Sequence, residues 1–161
     1  MRSTILALFL LASTTALAQG PVLALEAPDA HGRAFDLASL RGSVVAVTVV
    51  SRYTHDEALR INRALGARGD VKVVSVVDFV GIPRFVHAYV RKKVAEADGR
   101  VQHVCDDDGA LGRRLGAHPD QHVDIFIVDR DGGLRGRFEG AQQLDAALRL
   151  LDQVRSAQAA R

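Results

Sequence analysis

The chain has one cysteine, Cys105, among its 161 residues. No intramolecular disulfide can form, whatever the redox compartment, so stability must come from packing. A charge excess of one sign is also missing. Lysine and arginine number 21 against 19 aspartates and glutamates; this near-balanced surface gives no footing to nucleic-acid binding. A bilayer-spanning run is lacking too. Such a helix needs about 20 apolar residues, whereas the run "ILALFLLASTTALA" is shorter and is interrupted by Ser13, Thr14 and Thr15.

That run follows Arg2 and ends in Ala16-Leu17-Ala18, small residues of the kind a signal peptidase cuts after. Residues 1–18 therefore read as a secretory signal peptide cleaved near Ala18. No cysteine follows the cut, so lipid modification is not expected. The mature chain is expected to be exported, most simply to the periplasm, with no stable membrane insertion. With 48% apolar and 25% charged residues it can bury a proper core. A single domain over residues 19–155 and a frayed tail over 156–161 are expected.

Two nearly continuous β-branched runs, Val44–Val50 and Val71–Val77, suit central strands covered on both faces. Between them Ala58, Ile61 and Leu65 recur at helical spacing, and Gly66 and Gly69 supply a stop. A strand–helix–strand connection of this length favours a parallel pair. Pro83 then opens a second helix with the stripe Val86, Val90 and Val94, followed by the short strand "RVQHV" and a short helix near Ala110–Leu115. "DIFIVD" and "LRGRFEG" flank an Asp-Gly turn, which predicts an antiparallel hairpin with Leu134, Gly136 and Phe138 alternating against Arg135, Arg137 and Glu139. Ala147, Leu144, Leu148 and Leu151 mark a closing amphipathic helix.

Ala27-Pro28-Asp29, Gly32, Phe35, Leu37 and Leu40-Arg41-Gly42, with the strand after them, resemble the entrance to a redoxin domain of the peroxiredoxin and TlpA type. "IFIVDRDGGLRGRFEG" is similar to that family's later strand and hairpin, so the likeness runs from Glu26 to Val154. It implies an α/β thioredoxin-like fold, with a central mixed sheet flanked by helices and an N-terminal redoxin-type extension. It also implies a Cys-x-x-Cys pair, but those positions fall on Thr54 and Glu57. The peroxiredoxin pattern, Thr-x-x-Cys, keeps Thr54 and again replaces the reactive cysteine with Glu57. The family's proline before the later strand, usually cis, falls at Val123.

Without sulfur, Thr54-x-x-Glu57 reads first as a capping box for the helix that follows, with Asp56 adding charge at its positive end. A functional alternative makes Glu57 a proton acceptor in a remodelled pocket with Tyr53 and His55. The leading expectation is a redox-inactive binding or accessory module, its partner another periplasmic protein, with no cofactor. One alternative is a one-cysteine thiol oxidoreductase or peroxidase using Cys105, beside Asp106, Asp107 and Asp108, which would favour the neutral thiol. A second is a Sco-like metal site built from His55 with His122 or His118, although soft Cu(I) would miss its sulfur ligands. His103, Cys105 and the three aspartates cannot converge on a metal unaided, because strand neighbours point to opposite faces. Arg84, His87 and Arg91 share a helical face, read as solvated.

Overall fold

The computed structural model describes residues 20–97 and 99–159. The expected leader lies outside them. A five-stranded mixed sheet is ordered β5-β4-β3-β6-β7. The central strand β3 (Val45–Val50) runs parallel to β4 (Lys72–Asp78), and β4 parallel to β5 (Val101–Asp106). On the other side β3 pairs antiparallel with β6 (Asp124–Val128), and β6 with β7 (Leu134–Glu139). A small antiparallel pair, β1 (Glu26–Pro28) with β2 (Ala34–Asp36), precedes the sheet. Every residue of β3 and β6 is buried, as expected of strands covered on both faces.

One face of the sheet is covered by α1 (His55–Gly66) and α4 (Leu144–Ala159), where Ile61, Leu65, Ala147 and Leu151 pack on Ala46, Val73 and Ile125. Leu25, Leu37 and α3 (Ala110–Leu115) cover the other face over Val47, Val76 and Phe126. A satellite cluster joins Phe79 and Cys105 to Val90 and Val94 of α2 (His87–Ala95). Pro83 opens a short 3-10 turn just before α2 rather than α2 itself. Among the described residues no helix is long and apolar enough to cross a membrane.

The hairpin departs from simple alternation. Its register shifts between Ile127 and Val128, so Leu134 joins the cluster under α3 while Phe138 joins the one under α4. Such a bulge turns a side chain to the opposite face. Arg135, expected to point outward, instead buries its guanidinium against Asp129 at 2.5 Å. The helix α4 continues through Ala159, because the alanine-rich end keeps helical propensity after the apolar pattern stops at Val154.

The N-terminal segment is stitched to the sheet. Leu134 N–H donates to the Pro21 carbonyl and Leu23 N–H to that of Gly132, both at 2.9 Å. Ala30 N–H reaches the His103 carbonyl at 3.1 Å beside a bridge between Asp29 and Val104.

Candidate functional site

The carboxyl end of β3 meets the N-terminus of α1 at Ser51–Thr54. The Thr54 side chain does not cap α1, contrary to the capping-box expectation. Its hydroxyl oxygen accepts from Ser51 N–H at 3.1 Å and donates to the Pro119 carbonyl at 2.9 Å. Ser51 donates to the same carbonyl at 3.0 Å. Glu57 does not reach back to Thr54 either. One of its oxygens accepts from Val123 N–H at 3.1 Å, the other from Ala141 N–H at 2.7 Å. Tertiary partners have outcompeted the local capping pattern: the loop before β6 and the start of the last helical segment are tied to α1 through the positions that the redoxin likeness assigns to thiols.

Val123 is fully buried, and no peptide bond among the described residues is cis. A proline at this position could not donate the hydrogen bond that Glu57 receives, so the Glu57 contact requires a residue with a main-chain N–H at 123. Tyr53 is exposed and stacks under the Arg52 guanidinium, 4.5 Å from its ring centre. His55 faces the cleft between α1 and α2. Thr54 and Glu57 are thus held together by the loop, whereas Tyr53 and His55 stand on the solvent side.

Cys105 is 1% exposed, packed with Ala30 and Phe79 under α2. Burial pushes its thiol up to about 11, with Asp107 and Asp29 adding to the rise and Arg91 opposing it. The adjacent aspartates disperse: Asp106 accepts from Gly112 N–H, Asp107 pairs with Arg91, and Asp108 accepts from Ala110 N–H. Arg91 and His87 do not form a solvated basic face. His87 bonds the Ile82 carbonyl and sets its ring edge to Phe79, while Arg91 lies over Phe79 as well as pairing with Asp107.

Asp78 and Asp106 are register partners at the ends of β4 and β5. Both are buried, and burial raises both carboxyls above the ordinary range, with Asp78 adding its own charge to the rise at Asp106.

His122, Asp124 and Glu139 bring one ligand atom each within 4.8 Å of one another. His55 does not join them. Arg137 already donates to Asp124 through Nε at 3.0 Å and Nη2 at 2.6 Å, and sits 3.5 Å from Glu139. A guanidinium supplies the positive charge this carboxylate pair calls for, and the donor set holds no sulfur; copper(I) of the Sco kind does not fit it.

Sequence reading missed a polar row on the sheet face beneath α1 and α2: Thr48, Ser75 and His103 are register partners across β3, β4 and β5. Thr48 Oγ1 donates to Asn62 Oδ1 at 2.9 Å. The signal was present, since Thr48 and Ser75 interrupt their valine runs at the same offset.

No family model matches the chain, and neither does any curated protein. Solved structures do. The pneumococcal exposed lipoprotein thioredoxin Etrx1 of Streptococcus pneumoniae superposes with a TM-score of 0.64 at 18% identity, over 81% of this chain and 99% of that one. The fold is thioredoxin-like. A secreted Mycobacterium tuberculosis disulfide oxidoreductase homologous to E. coli DsbE gives 0.60 at 16%, over 80% of this chain and 95% of its own. BsSco, of the Sco family of cytochrome c oxidase assembly proteins, gives 0.60 at 13%, over 85% and 94%. At these identities the thioredoxin-like likeness is one of architecture, and chemistry has to be argued from the site.

Proposed function

We propose that this chain is an exported thioredoxin-fold protein that has lost thiol chemistry and serves as a binding or accessory module. The observation carrying this reading is the engagement of Glu57 with the N–H groups of Val123 and Ala141. A carboxylate fixed there can accept hydrogen bonds but cannot cycle electrons as a thiolate does. Cys105 offers no substitute: it is buried and its thiol is pushed up to about 11. Export is supported by the leader-like N-terminus and by neighbours that include an exposed lipoprotein and a secreted oxidoreductase.

The test uses signal-cleaved protein in insulin-disulfide reduction and in peroxide consumption with a physiological reductant. No turnover is expected in either. Turnover that disappears on Cys105→Ser would overturn the reading in favour of a one-cysteine enzyme. Pull-downs from periplasmic extract should recover the same partners with and without reductant, whereas partners released by reductant would indicate thiol-linked capture.

A further inference from the structure

Between α1 and α2 lies a cavity of about 370 Å³. Small-molecule sites commonly run from about 300 to 1,000 Å³, mostly apolar with a few placed polar groups. Here the walls are Ala58 and Leu59 of α1 with Tyr89, Val90 and Val94 of α2, over Val77 of β4. Ser75, His103 and Asn62 supply polar groups among the lining. Leu59 and Tyr89 remain 49% and 62% exposed at the opening.

The charge around this cleft is lopsided. Arg52 and Lys93 line it against a single acidic residue, Asp78, whose Oδ1 accepts from Val80 N–H at 2.7 Å. Arg52 donates to the Gly81 carbonyl at 3.0 Å and to the Tyr53 hydroxyl, both neutral acceptors. Its positive charge is thus held in place, and among the described residues no carboxylate forms an ion pair with it. Lys93, by contrast, already reaches Glu96 at 3.5 Å.

We propose that this cleft binds a small amphipathic carboxylate, its apolar body between α1 and α2 and its anionic head at Arg52. An apolar wall favours the body by removing it from water, and a fixed guanidinium recognises a carboxylate through charge-assisted hydrogen bonds. The proposal goes beyond the accessory role above and is tested separately from it, since ligand binding here needs no statement about electron transfer.

The probe is octanoate, titrated into signal-cleaved protein with amide chemical shifts as readout and octan-1-ol as the uncharged control. Saturable shifts at Leu59, Val90 and Val94 are expected with octanoate. Arg52→Gln should weaken octanoate about tenfold, the scale of one such contact, and leave octan-1-ol unchanged. Val90→Trp should fill the cleft and abolish both; Leu59→Trp, at the exposed opening, does the same should the first variant not fold. Shifts that do not saturate, or lie away from the cleft, would overturn the proposal. So would an equal response of octanoate and octan-1-ol to Arg52→Gln.

Discussion

The Glu57 carboxylate accepts the main-chain N–H of Val123, across 66 positions of sequence. Its second oxygen holds Ala141 N–H, so one side chain joins α1 to both ends of the β6–β7 hairpin. Hydrogen bonds to charged groups contribute about 1.5–3 kcal/mol each. Because the Ala141 contact is exposed, Glu57→Ala should lower unfolding stability by about 2–4 kcal/mol in urea melts, with Glu57→Gln in between. A loss within error for both variants would show that the clamp contributes little.

Cys105 should be inert toward a disulfide reagent in the folded protein. With its thiol pushed up to about 11, roughly one molecule in a thousand carries thiolate at pH 8, and that one is buried. Labelling kinetics followed against urea should track global unfolding. Fast labelling without denaturant would contradict this.

The Asp78–Asp106 pair makes a pH prediction. Burial raises both carboxyls, so the folded protein keeps protons that the unfolded chain has released. Their stabilising contribution is complete below the unfolded value of about 3.9 and disappears as pH rises through the higher folded values. Asp78→Asn keeps an acceptor for Val80 N–H and removes one of these ionisations. The variant should therefore gain stability over the parent as pH climbs from 4 to 8, read as a growing difference in Tm. A constant difference would remove the linkage.

Gly20 sits so close to β7 that a β-carbon on it would lie 1.9 Å from the Leu134 carbonyl oxygen. Backbone cannot yield to that contact, so Gly20→Ala should displace the segment and speed amide exchange at Leu23 and Leu134. Unchanged protection at both amides would show that the segment tolerates the methyl group.

The valine runs and the Asp-Gly turn were readable because strand burial and turn geometry are written in neighbouring residues. Thr54 and Glu57 were not. Their spacing suits a capping box, but Pro119, Val123 and Ala141 compete for the same oxygens and come near only after folding. Arg135 misled similarly, since a register shift between Ile127 and Val128 turns an alternating strand and buries the residue expected outside. The His87–Arg91 face looked solvated because Phe79 and Asp107, which it packs on, lie in other parts of the chain.

The stitching of Pro21–Leu23 to the start of β7, and of Asp29–Ala30 to β5, means that the segment ahead of β3 reaches both outer strands of the sheet. Bare strand borders recruit other molecules by backbone pairing. Proteolytic trimming of residues up to Leu23 would thus bare the β7 border and favour self-association, visible as earlier elution in size-exclusion chromatography, while Leu25 kept its place in the core.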